Sequence, residues 1–173
     1  ENKLNTYVKD IYLILDTTNF LEIDMSTVHN SRNFFYKSDD ILNFLSNIKN
    51  NFIKNLDDYD LTHMIINKYI LDGNSYISLP DNIKFNNIHL EIKFICLKKI
   101  ISQKLKKIFS KYEIIVDKIF YHKYVNQFQN SDEENIFNLA IKLKDGLNPK
   151  EIFLVNKLSK NIGFFEKFFN FFR

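Results

Sequence analysis

The chain has 173 residues, 45% of them hydrophobic, and a formal net charge of +3. That suffices for one compact domain of about 120–140 residues with appendages, and the charge excess is too small to argue for nucleic acid by itself. The three glycines, Gly73, Gly146 and Gly163, lie far apart, so no loop has the clustered glycines that let backbone N–H groups close on a phosphate. A nucleotide-driven enzyme is thereby disfavoured. The single cysteine, Cys96, excludes an internal disulfide and fits a reducing compartment. No stretch approaches the roughly 18 apolar residues of a membrane span, and no basic segment followed by an apolar run opens the sequence. A soluble or peripheral protein is expected.

In chain order, Tyr7 to Leu15 is rich in Ile, Leu, Val and Tyr and reads as a strand. Asp16 to Asn19 are turn formers, and Phe20 to Val28 suggests an edge-like second strand, making the pair a hairpin. Asn30 to Lys37 reads as a loop. Ser38 suits a helix N-cap, with Asp39 and Asp40 at the positive end, and Ile41, Leu45, Ile48 and Phe52 carry a helical period over about 39–55. Asp57 to Asp60 reads as a solvated connector, Leu61 to Leu71 as a buried strand, and 74–87 as a connection. Ile88, Leu90, Ile92 and Phe94 alternate with His89, Glu91 and Lys93, the pattern of a half-exposed antiparallel strand. Leu97 to Tyr112 is an amphipathic helix with Ile100, Ile101, Leu105, Ile108 and Phe109 on the apolar side, and Ile114 to Tyr121 returns as a strand. The order β-β-α-β-β-α-β predicts an α+β fold, a small mixed or antiparallel sheet with two helices on one face.

Beyond Tyr124 the character changes. Ser131 with Glu134 reads as a capping box for a short helix over 136–143, stopped by Gly146. Residues 147–161 look like a tether. The last ten residues place Phe164, Phe165, Phe168, Phe169, Phe171 and Phe172 on one helical arc about 160° wide, with Ile162 at its edge. Glu166, Lys167, Asn170 and Arg173 fill the other side. As a helix this segment is only about 15 Å long, too short to cross a bilayer but suited to lie in its headgroup region. The competing reading packs the same rings on the chain's own domain.

The four histidines, His29, His63, His89 and His122, have no local pair spacing that a metal site favours. Cys96 ends a strand, where it reads as a small buried hydrophobe rather than a nucleophile. No catalytic, metal-binding or cofactor-binding residue is expected. The lysines of the second helix, above all Lys104, Lys106, Lys107 and Lys111, have three readings: a solvated outer face, a contact with an anionic lipid surface, or a small nucleic-acid-binding element.

From Leu61 onward the sequence runs His63-Met64-Ile65-Ile66, then Tyr69, then Asp72-Gly73, Ile77 and Pro80, and then His89-Leu90-Glu91-Ile92. This ordered series resembles the FtsA family of actin-like bacterial division proteins. The match is to the family's inserted strand–helix–strand–strand interaction subdomain, with Ile11 to Leu15 similar to its first strand and the aromatic tail similar to the family's membrane-targeting helix. Ile66 stands where the family usually has proline, and the actin-like core is missing, so ATP binding and the usual FtsZ dock do not carry over.

The resemblance implies an interaction subdomain over 1–125, a short helical extension over 126–146, a linker over 147–161 and a membrane-targeting helix over 162–173. It makes His63, Tyr69, Asp72, Gly73, Pro80, Leu90 and Glu91 structural or interaction residues. It also implies a non-enzymatic module, peripheral on the cytoplasmic face of the membrane. Its partners would be anionic lipid, other division proteins and a second copy of itself, with no small-molecule substrate and no nucleic acid. Exposed strand edges, at 20–28 or 88–95, are the expected partner surfaces.

Overall fold

A computed structural model describes residues 7–35, 38–80, 84–130 and 134–153, without the side chains of 31–35 and 38–40. The fold is α+β. Its elements are β1 (Asp10–Leu15), β2 (Phe20–Phe35), α1 (Ser38–Lys54), β3 (Tyr59–Leu71), β4 (Asn74–Tyr76), β5 (Lys84–Lys98), α2 (Lys99–Ser110), β6 (Ile115–Tyr121), α3 (His122–Asn126) and α4 (Ile136–Lys144). They form two sheets: a parallel pair β1-β6, and a four-stranded sheet in the order β2-β5-β3-β4. Within the larger sheet the partners run in opposite directions. Lys98 N–H donates to Asn19 O while Lys93 meets Asp24, and Lys99 N–H donates to Asp58 O while Lys68 meets Glu91.

The chain divides into two compact units, and divisions fall inside β2, β3 and β5 and within the last turn of α1. The described residues of the first fall within 7–23, 53–63 and 94–145. Its core gathers Leu97, Val116 and Ile119, against which Ile11, Leu13, Leu15, Ile101, Leu105 and Phe109 pack. β1 is therefore not the partner of β2 in a hairpin. Its residues pair in parallel with β6, from Asp10 opposite Ile115 to Leu15 opposite Tyr121. Thr17 Oγ1 accepts from the backbone and side-chain amides of Asn19 and turns the chain between the two strands. α3, which the sequence pattern does not predict, packs on β6 and α4 and buries Tyr124 and Val125. The N-cap of α4 is Asn135, whose side chain accepts from Phe137 N–H at 2.8 Å. Glu134 instead takes Lys142 Nζ at 2.8 Å, and Ser131 lies outside the described residues.

The described residues of the second unit fall within 24–52, 64–93 and 146–153. On α1 the buried residues are Ile41, Leu45 and Ile48, at the helical spacing expected. The N-cap side chain of α1 lies outside the described residues. On β5, Ile88, Leu90 and Ile92 are buried and His89, Glu91 and Lys93 half-exposed, as the alternation requires. β2 continues through Asn30 to Phe35, where the sequence predicts a loop, because an edge strand tolerates polar residues that a central one does not.

The first part of the expected tether is packed. Asn148, Glu151 and Ile152 are buried, Ile66 N–H donates to Lys150 O at 2.9 Å, and Ile152 N–H donates to Met64 O at 2.8 Å. Proline at position 66 could not make the first of these bonds, so isoleucine there lets residues 150–152 lie antiparallel to β3. Residues 154–161 of the expected tether lie outside the described residues.

β3 and β4 form a hairpin where the sequence pattern predicts a connection. Leu71 pairs with Asn74, leaving Asp72 and Gly73 as a two-residue loop with φ of 46° and 87°. Two left-handed residues are what a type I′ turn needs, and Asp-Gly is among its preferred pairs. Replacing Gly73 by valine should destabilise the protein by about 1–2 kcal/mol, the cost of a β-branched residue in the left-handed region. Urea unfolding reads this, and an unchanged midpoint would refute it.

Candidate interaction surface

The residues on which the resemblance rests are mostly packed or hydrogen-bonded within the fold. In the first unit, His63 is 1% exposed, with its ring 4.5 Å from Tyr124 and 5.7 Å from Phe120. Its Nε2 accepts the Tyr121 N–H at 3.2 Å, which places the proton of the neutral ring on Nδ1. In the second unit, Tyr69 and Leu90 are buried, Pro80 is half-buried, and Glu91 faces Lys68 at 3.9 Å.

Asp72 closes the hairpin onto β5. Its carboxylate accepts the Asn86 N–H at 3.1 Å, the Asn87 N–H at 2.8 Å and the Asn87 side-chain amide at 3.2 Å. The Asn86 and Asn87 backbone donors hold it below the usual 3.8. A depressed folded-state value stabilises the fold above the unfolded value and withdraws that stability as pH falls through the folded one. Asp72→Asn should therefore lower stability at neutral pH, with the difference from the natural protein shrinking in strong acid. A difference independent of pH in denaturation series would contradict this.

Cys96 is fully buried, and burial pushes its thiol up to about 12. A neutral, enclosed thiol is a poor nucleophile. Asp60, read as a solvated connector, lies in β3, half-buried, and accepts the hydroxyl of Ser102, itself buried on α2. Beside them is a cavity of about 140 Å³ lined by Thr62, Lys106, Asp117 and Lys118 among others.

The Asp60–Ser102 bond lies on the buried side of α2. Ile101, Leu105 and Phe109 face the core, and Ser102 is buried next to them. Ile100 and Ile108, assigned to the apolar face by the sequence, are instead 68% and 48% exposed. At 100° per residue, Ile100, Lys104, Lys107, Ile108 and Lys111 occupy one arc about 100° wide. Lys106 falls outside this arc and lines the cavity. Of the four lysines singled out in the sequence, three thus share an outer face and the fourth does not.

At the C-terminal end of α2 this face meets more exposed apolar surface. Tyr112 is 68% and Ile115 62% exposed, and Tyr7 and Val8 are exposed as well. Tyr7 reaches the same turn, its hydroxyl donating to Glu113 at 3.1 Å, and Ile115 N–H donates to Lys9 O at 2.8 Å. The sequence signal for this patch was present in the adjacent Ile100 and Ile101, which no single helical phase can bury together at full depth.

Of the two expected partner edges, β5 lies between β2 and β3 and offers none. β2 is an edge strand, paired among the described residues with β5 alone. The tail residues Ile162, Phe164, Phe165, Lys167, Phe168, Phe169, Phe171, Phe172 and Arg173 lie outside the described residues. No helix among the described residues is long and apolar enough to cross a membrane. No protein-family model matches the chain, and no curated protein matches it.

Proposed function

We propose that this chain is a non-enzymatic, membrane-tethered interaction module, a reduced FtsA-like protein of the bacterial division machinery, peripheral on the cytoplasmic face of the membrane. The observation that carries the reading is the phenylalanine periodicity of 164–173, with Lys167 and Arg173 on the polar side. Nearly 20 residues separate Ile152, which bonds to Met64 of β3, from the end of that periodic run. The partner surface in this reading is β2. Its backbone edge can take another extended strand, from a division protein or a second copy, by the hydrogen bonding that strand addition uses. No cofactor is needed for either contact.

Co-sedimentation of the full chain with vesicles containing anionic lipid tests the tether. The protein is expected in the pellet, and the variant Phe168→Asp with Phe169→Asp in the supernatant. A natural protein that stays in the supernatant with every vesicle removes the proposal.

A further inference from the structure

We propose that the outer face of α2 and the turn that follows it form a second membrane contact, specific for anionic lipid headgroups. The inference deepens the tether reading and borrows its membrane, but it rests on different residues. From Leu97 to Tyr112 the chain carries six lysines and no carboxylate. Three of them, Lys104, Lys107 and Lys111, share their arc with Ile100 and Ile108, which are exposed. A solvated helix face has no use for two exposed isoleucines among its cations, whereas a headgroup layer takes both. Lysine ammonium groups meet lipid phosphates and carboxylates while aliphatic side chains enter the acyl boundary.

The end of the helix carries the same surface onward. Tyr112 and Ile115 extend the apolar area, and an exposed tyrosine is suited to the membrane–water boundary, with its ring in the apolar layer and its hydroxyl in the polar one. Among the described residues, the carboxylates near this turn include Asp10, at the start of β1 opposite Ile115, Glu113, which is engaged by the Tyr7 hydroxyl, and Asp117, exposed two residues beyond Ile115. Lys9 adds a further cation at the same turn. Apolar side chains rimmed by lysines in this way mark an interaction site rather than scattered exposure.

The chain contains no tryptophan, so Tyr112→Trp in the full chain installs a single reporter. Its emission should shift to the blue and lose access to an aqueous quencher on vesicles of phosphatidylcholine with phosphatidylserine. The triple variant Lys104→Glu, Lys107→Glu, Lys111→Glu should bind those vesicles at least tenfold more weakly, and pure phosphatidylcholine vesicles as the natural protein does. A triple variant that binds anionic vesicles like the natural protein overturns the α2 contact and leaves the tail tether standing. Binding that survives Phe168→Asp with Phe169→Asp but is lost in the triple variant upholds the α2 contact and removes the tether. Indole emission of the Tyr112→Trp variant that stays unchanged when the protein is vesicle-bound overturns the contact at that turn. Lysine-dependent binding to single-stranded RNA with no response to vesicles overturns the lipid assignment altogether.

Discussion

Phe120→Ala should destabilise the protein by about 3–5 kcal/mol, lowering the melting temperature by about 10 °C or more. Phe120 is fully buried at the second-to-last position of β6. Its ring meets Tyr12 edge-on at 6.3 Å, lies 5.7 Å from the His63 ring and takes Lys118 Nζ over its face at 4.9 Å. Removing it takes away the ring's burial and opens a void among groups already held by the β1–β6 register, which cannot collapse inward without breaking that pairing. The void also lies beside His63, whose bond to Tyr121 N–H is the next link along the strand. Phe120→Leu keeps most of the volume and should cost about 1.5 kcal/mol or less. The two substitutions compared by denaturant unfolding form the measurement. An alanine variant as stable as the leucine variant would show that this end of β6 is not a packed core.

The second large effect concerns the tail. Each phenylalanine presents about 150–250 Å² of surface. Burying about half of one ring in the headgroup layer contributes roughly 2–3 kcal/mol at about 25 cal/mol per Å². Phe168 and Phe169 together thus supply roughly 5 kcal/mol, before the ordering cost of a short helix. Aspartate at both positions forfeits that and adds repulsion from an anionic surface. Vesicle affinity should fall by about 100-fold or more, tenfold for each 1.4 kcal/mol. The melting temperature should stay where it is. If the double variant instead melts far lower while the natural protein ignores vesicles, the rings belong to the protein's own core and the tether reading ends.

Local patterns in the chain place most of its elements. The i, i+4, i+7 spacing of Ile41, Leu45 and Ile48 marks α1, and the alternation through Ile88, Leu90 and Ile92 marks β5, because one buried face leaves a period in the sequence. Asp72-Gly73 marks the end of β3, but the pairing of β4 across it, where a connection is expected, comes only from the structure. Pairing was not legible. That β1 joins β6 in parallel, across about a hundred residues, depends on which apolar faces fit together, and no local period records that.

The interaction surface divides in the same way. The sequence by itself determined the α+β class, the lysine richness of α2, the phenylalanine stripe of the tail and the want of a glycine-rich anion loop, since composition and period carry each of these directly. Only the tertiary structure decided that Ser102 turns inward to Asp60, that Ile100 and Ile108 turn outward among Lys104, Lys107 and Lys111, and that β2 rather than β5 is an edge. The reason is physical. Ile100 and Ile101 lie about 100° apart on the helix, so only Ile101 shares the buried arc of Leu105 and Phe109, and pairing between distant strands leaves no local period in the sequence.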